Sequence, residues 1–176
     1  ESINCIYDNG TKRTSTDGVG FINDLQSKKI DYTNMNIMVY GLGGASKSIL
    51  NSIKTSRNLF VASRTEANIE EAIKKNPNFK KYNGQSLDLV ISCAQNLDLN
   101  TTKHFEHLNL SQNTLLYDIN YSNQTNKLFS DLSIVGKNNF YNGIGMLVEQ
   151  ASECFKLWFN KKPEVEEIKS KLNERL

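Results

Sequence analysis

The sequence lacks the features that mark a membrane, secreted or fibrous chain. No apolar run approaches the ~18 residues that a membrane-crossing helix needs. The first residues, Glu1-Ser2-Ile3-Asn4, hold neither a basic stretch nor an apolar one, so no signal peptide is expected. Cysteine is scarce and odd in number. Cys5, Cys93 and Cys154 lie far apart and form no disulfide framework, which points to reduced thiols in a cytoplasmic setting. An excess of one charge is missing too: 21 Lys and Arg against 19 Asp and Glu leave +2. That balance offers no nucleic-acid footprint, and the Lys pairs at 28–29, 74–75, 80–81 and 161–162 are scattered. Proline occurs only at Pro77 and Pro163, and there is neither an internal repeat nor a low-complexity segment.

What remains is an ordinary globular composition, with 38% hydrophobic and 23% charged residues, which excludes a disordered chain. Asparagine is abundant, with 23 residues. The 176 residues suit one domain or a little more, with enough chain to bury a real core. Apolar runs alternate with amphipathic ones, so the expected class is α/β: a doubly wound, mostly parallel sheet with helices on both faces. Ile37–Tyr40, Leu59–Ala62, Leu87–Ile91 and Leu115–Ile119 read as buried strands, and Ile134-Val135 as a short fifth. Helices are expected over Gly44–Lys54, over Thr65–Lys75 with Thr65 as its cap, and over Asn100–Leu110. Near the end, Gly145–Phe159 reads as a helix with apolar residues all round, and Pro163 opens another, acidic first and basic later. At the start, Ile3–Tyr7 and Lys12–Thr14 flank Asp8-Asn9-Gly10, a hairpin signal that needs support from elsewhere.

The main chemical signal is Gly41-Leu42-Gly43-Gly44-Ala45, directly between a strand and a helix. Small residues there let the backbone turn sharply and approach a pyrophosphate, which the helix N-terminus stabilises. The same string also suits a tight turn with no ligand. Such units usually carry an acid about 20 residues later, for the ribose 2′-hydroxyl. This chain has Ser63-Arg64-Thr65 instead, and the planar fork of Arg64 suits a 2′-phosphate, favouring NADP over NAD. Asp17 sits in Ser15-Thr16-Asp17-Gly18-Val19-Gly20, where local sequence favours a helix cap; a carboxylate there also suits proton transfer. His104 and His107 have no adjoining Cys or acid cluster and read as surface residues, with no metal site. Cys93 ends a strand at the edge where such sheets bind ligands.

Several strings together resemble the shikimate dehydrogenase family. The most specific is Asn142-Gly143-Ile144-Gly145-Met146-Leu147-Val148-Glu149-Gln150-Ala151, followed by Phe155, Trp158 and Pro163. Asn4, Thr16-Asp17-Gly18-Val19-Gly20, Gly41–Ala45, Ser63-Arg64-Thr65 and Asp118-Ile119-Asn120-Tyr121 match other motifs of the family in order. The resemblance implies a Rossmann-type domain and a reversible reaction, NADPH reducing 3-dehydroshikimate to shikimate on the route to chorismate and aromatic amino acids. It implies Asp17 as one member of the proton-transfer pair, and Asn4, Asp17, Tyr121 and Gln150 as substrate contacts. The implied cofactor set is Gly41, Gly43, Gly44, Ala45, Ser63, Arg64, Thr65, Cys93 and Gly143. Residues 1–16 then correspond to a remnant hairpin of an N-terminal substrate domain, 17–142 to the NADP-binding domain, and 143–176 to helices that return toward the substrate domain. The family's catalytic lysine has no match here, so the chain alone is expected to be inactive and to self-associate or form a homodimer. Cys5, Ser15 and Ser92-Cys93-Ala94 depart from the family pattern. They keep open a quinate- or shikimate-type polyol dehydrogenase, or a non-catalytic NADP-binding regulatory module.

Overall fold

The computed structural model describes residues 2–94, 105, 107–121 and 139–173. They form two compact units, one of helices with a hairpin and one built on a sheet.

The helical unit takes residues 1–31, 44–53 and 144–176. Strands β1 (Cys5–Tyr7) and β2 (Lys12–Thr14) pair antiparallel, with Cys5 opposite Thr14. Asp8, Asn9 and Gly10 make the turn at φ of 53°, 54° and 85°. Asn and Gly tolerate that left-handed region, which is why Asn-Gly reads as a hairpin. Two strands alone are marginal. Here Cys5 is buried, and the Trp158 indole N–H donates to the Ile6 carbonyl at 2.8 Å. Around the hairpin stand α1 (Asp17–Ser27), α2 (Gly44–Ser52), α4 (Ile144–Phe159) and α5 (Val165–Asn173). Gly18 and Gly20 let α1 approach two helices at once. A Cβ on Gly18 would lie 2.6 Å from the Ser48 carbonyl oxygen in α2, and one on Gly20 2.6 Å from the Gln150 nitrogen in α4. Phe21, Leu25, Ile49 and Ile53 fill the core of this unit, and Ile144, Val148 and Val165 pack α5 onto α4.

A buried ion cluster ties the same helices. Asp24 is fully buried, and its carboxylate takes Lys28 at 2.6 Å and Lys169 at 3.3 Å. Lys169 also reaches Glu149 at 2.9 Å. Burial alone would push the Lys169 ammonium down; the carboxylates of Glu149, Asp24 and Glu166 outweigh it and hold it above the usual lysine value.

The sheet unit takes residues 32–43 and 54–143. Its strands are β3 (Asn36–Tyr40), β4 (Asn58–Ala62), β5 (Phe79–Lys81), β6 (Leu89–Ser92), β7 (Leu115–Asp118) and β8 (Phe140–Tyr141), with α3 (Glu66–Lys75) between β4 and β5. All neighbours pair parallel, in the order β5-β4-β3-β6-β7-β8. The first strand thus lies beside the fourth, and the order reverses between β3 and β6. That is the Rossmann arrangement, and its ligand crevice opens at the carboxyl ends of the strands beside that reversal. The strands are apolar on both faces, as a covered parallel sheet requires. Met38, Tyr40, Phe60, Val90 and Leu116 share one cluster with Leu87 and Phe105, while Ile37, Val39, Leu59, Leu89 and Ile91 are equally buried. At the amino ends of the strands some of the many asparagines form a polar ladder. Asp88 accepts the Asn36 N–H at 2.8 Å, Asn58 donates to Asn36 at 2.8 Å, and Lys80 donates to Asn58 at 2.7 Å.

Four sequence expectations differ or fall elsewhere. The first is β5, which passed unread because two of its three residues are exposed lysines; it pairs with β4 through its backbone. The strand expected at Ile134-Val135 lies outside the described residues, whereas β8 forms at Phe140–Tyr141. Most of the helix expected over Asn100–Leu110 also lies outside them, and His107–Leu110 is not helical. There Leu108 and Leu110 pack against the core while the Asn109 carbonyl accepts the Leu87 N–H at 3.1 Å. Finally, Thr65 stands at the cap position of α3 without a side-chain cap bond; its own N–H turns back to the Ser63 hydroxyl at 3.4 Å.

Candidate functional site

In the sheet unit, the expected cofactor residues gather at the carboxyl edge. β3 ends at Tyr40, and Gly41 turns the chain with φ +92° while donating its N–H to the Ala62 carbonyl at 2.8 Å. A Cβ at this position would stand 2.8 Å from the Ala94 nitrogen and 2.9 Å from the Cys93 carbonyl carbon. Both the torsion and the space therefore demand glycine, and the backbone after β3 closes directly onto the backbone after β6. The Cys93 N–H donates to the Tyr40 carbonyl at 2.7 Å and continues the pairing of these strands past Ser92. The Cys93 side chain is buried. Ser63, Arg64 and Thr65 follow β4, with Arg64 and Thr65 exposed to solvent. Gly143 ends this unit, and a Cβ there would meet the Ile119 carbonyl oxygen at 1.9 Å. Tyr121 is 49% exposed.

Gly44 and Ala45 form the first turn of α2, in the helical unit. Gly43 and Gly44 are exposed, and the Ser2 side chain lies beside Gly44, 3.1 Å from where a Cβ would stand.

The helical unit gathers a second group from three distant stretches. Asn4, just before the hairpin, donates its amide to Asp17 Oδ1 at 2.6 Å and to Gln150 Oε1 at 2.9 Å. The amide is oriented from behind, since Asn4 Oδ1 accepts the Thr16 N–H at 2.8 Å and lies 3.2 Å from the Thr16 hydroxyl. The Thr16 hydroxyl is also 3.2 Å from Gln150 Oε1 and 3.3 Å from the Cys154 sulfur. The cap reading of this segment does not hold. Thr16 stands at the cap position with no side-chain cap bond, and Asp17 is the first helical residue, its carboxylate facing Asn4. Thr16 is only 2% exposed, in contrast to the half-buried Asp17, and sequence reasoning missed it. Its signal was its place in Thr16-Asp17-Gly18-Val19-Gly20, which assigned it no role.

Next to this group lies a thiol pair. Burial pushes the Cys5 thiol up to about 11, and the hydrogen bond to Cys154 adds to the rise. Among the described residues, no group of three or more His, Cys, Asp or Glu side chains is placed to hold a metal ion. His107 is exposed, and His104 lies outside the described residues. No described helix is long and apolar enough to cross a membrane.

Residues 143–172 match the model of the shikimate 5′-dehydrogenase C-terminal domain. Among curated proteins, the chain is 32% identical to a shikimate dehydrogenase (NADP(+)) of Buchnera aphidicola, covering 90% of this chain and 61% of that protein. It is 28% identical to the enzyme of that name from Alteromonas mediterranea, covering 91% of this chain and 61% of that one. The chain thus spans about three fifths of the length of these relatives. Among solved structures, the shikimate dehydrogenase of Aquifex aeolicus superposes with a TM-score of 0.74 at 19% identity, over 96% of this chain and 65% of that one. The Thermus thermophilus enzyme, solved with NADP(H) and shikimate, gives 0.70 at 16% identity, over 92% and 63%. The domain signature in α4 and α5, the similarity along nine tenths of the chain and the shared parallel sheet agree: the chain is similar to the shikimate dehydrogenases and carries the signature of their C-terminal domain.

Proposed function

We propose that this chain is the cofactor-binding part of an NADP-dependent oxidoreductase that interconverts 3-dehydroshikimate and shikimate. The observation that carries the reading is the Asn4–Asp17–Gln150 group, three polar side chains from distant stretches held within hydrogen-bond distance. Asp17 stands on a helix start, where its carboxylate can hold or move the proton that the substrate's oxygen gains and loses. Asn4 orients it, Gln150 holds Asn4 in turn, and the second N–H of the Gln150 amide can meet a hydroxyl of a small polyol. When bound, the cofactor supplies the hydride for the ketone carbon.

The residues present fit such a cofactor. Gly41 makes the sharp turn, and a Cβ on Gly43 would meet nothing within 4 Å, so a pyrophosphate can approach the backbone there. Gly43, Gly44 and Ala45 would meet that pyrophosphate with backbone N–H groups. Ser63, Arg64 and Thr65 would take the 2′-phosphate, with Arg64 giving a charged fork, while the neighbouring Glu66 is paired with Lys81. Cys93, Gly143 and Tyr121 belong to the nicotinamide and substrate end by family resemblance. That resemblance pairs Asp17 with a lysine that has no match in these residues. Turnover is therefore expected from a polypeptide of the relatives' length, and not from these 176 residues alone. The test is shikimate-dependent reduction of NADP⁺ by a full-length form. The expected result is turnover with shikimate that exceeds turnover with quinate; a full-length form inert toward shikimate would overturn the reading.

A further inference from the structure

Asn120 follows β7 and joins three segments at the carboxyl edge of the sheet. Its side-chain amide donates to the Ala94 carbonyl at 2.7 Å and to Asp118 Oδ1 at 2.9 Å. Its backbone N–H also donates to Asp118 Oδ1, at 3.2 Å, and its carbonyl accepts the Gly143 N–H at 3.0 Å. Ala94 is the residue on whose backbone Gly41 closes. One half-buried side chain thus fixes Ala94, after β6, to the end of β7, and its backbone holds Gly143, the last residue of this unit. The surrounding Asp-x-x-Tyr motif does not specify this position.

We propose that Asn120 is a positioning residue for the nicotinamide half of the cofactor, an inference that rests on the NADP reading above. The two halves of a dinucleotide fall on opposite sides of the reversal between β3 and β6. Arg64 follows β4, on one side of it, and the 2′-phosphate of the adenosine half belongs there. The other half extends past β6 toward β7, where Asn120 stands. Asn120 acts through the backbone it holds. Its amide fixes the Ala94 carbonyl, and with it the peptide plane that follows Cys93 at the carboxyl edge of the sheet. Truncating the side chain removes the donor from the Ala94 carbonyl and lets that plane reorient.

The test uses two probes on the same chain: NADPH, and adenosine 2′,5′-bisphosphate, which has the adenosine half only. Both are titrated into wild type, Asn120→Ala and Asn120→Ser; the serine keeps a hydroxyl but cannot reach Ala94. The expected result is a loss of about tenfold in NADPH affinity in both variants, with bisphosphate affinity unchanged within about twofold. Retained bisphosphate binding also shows that the variants fold. Equal NADPH affinity in all three proteins would overturn the inference. So would an equal loss for both probes, which marks a residue that merely supports the fold. If wild type binds neither probe, the NADP reading itself falls and this inference falls with it.

Discussion

The side-chain amide of Asn4 donates to Asp17 Oδ1 at 2.6 Å and so joins the segment before β1 to the first turn of α1. The carboxylate is committed to a neighbour that can share a ligand with it, and the N–H groups of its own helix are not its partners. Asp17→Asn should therefore leave stability within about 1 kcal/mol of wild type, since an amide oxygen still accepts from Asn4. Turnover of a full-length form should fall by about 10²-fold or more, the usual scale for lost acid–base help. Thermal melting and steady-state kinetics on one preparation separate the two. A variant that melts early and turns over normally would return Asp17 to a purely structural role.

Gly41→Ala should destabilise the chain and remove cofactor binding together. A side chain there must adopt φ near +92° and would press on the backbone of Cys93 and Ala94. The cost is on the order of 2–4 kcal/mol, read as a lower midpoint in urea unfolding. Gly43→Ala, by contrast, meets nothing within 4 Å and has no positive φ, so its stability should barely change.

The chain should lose stability in alkali through Cys5. The folded thiol holds its proton up to about 11, while the free group titrates at 9.0. Between those values the unfolded chain sheds a proton that the folded chain keeps. Stability from this group is complete below pH 9.0 and drains away as the pH climbs to about 11. Cys5→Ser should flatten the decline in a series of urea melts across that range. An unchanged slope would show that other groups govern it.

Phe155, Trp158 and Phe159 end α4 with 38%, 52% and 59% of their surfaces exposed, beside Ile6 at 61%. The Phe155 and Phe159 rings meet at a 45° tilt with centres 4.6 Å apart, so the apolar surface is continuous. The isolated chain should associate as concentration rises. Sedimentation velocity over about a hundredfold concentration range should show this, and Phe159→Ser should reduce it with little change in melting temperature. A wild-type chain that stays monomeric throughout would contradict the expectation.

The parallel sheet was legible because its strands are continuous apolar runs, the first of which, Ile37–Tyr40, ends in glycines and pairs with Leu59–Ala62. β5 escaped because Lys80 and Lys81 hide a backbone pairing behind polar side chains. The gathering of Asn4, Asp17 and Gln150 follows from no local pattern: Asn4 and Gln150 are 146 residues apart, and only the packing of α1 on α4 brings them together. For the same reason local sequence misled at Thr16. A threonine before a helix usually caps it, but here tertiary partners, Asn4 and Gln150, take its hydroxyl. Asn120 was given no role by its motif either, since the bond that sets it apart runs to Ala94 across the sheet edge.

The central claim is an NADP-specific cofactor site, and the most direct measurement is the titration of NADPH and NADH into the wild-type chain and Arg64→Ala. A charge-assisted fork to the 2′-phosphate contributes on the order of 1.5–3 kcal/mol, so NADPH should bind about 10- to 150-fold tighter than NADH in wild type. Arg64→Ala should erase most of that preference by weakening NADPH alone. Equal affinities for the two cofactors in the wild-type chain would contradict the account.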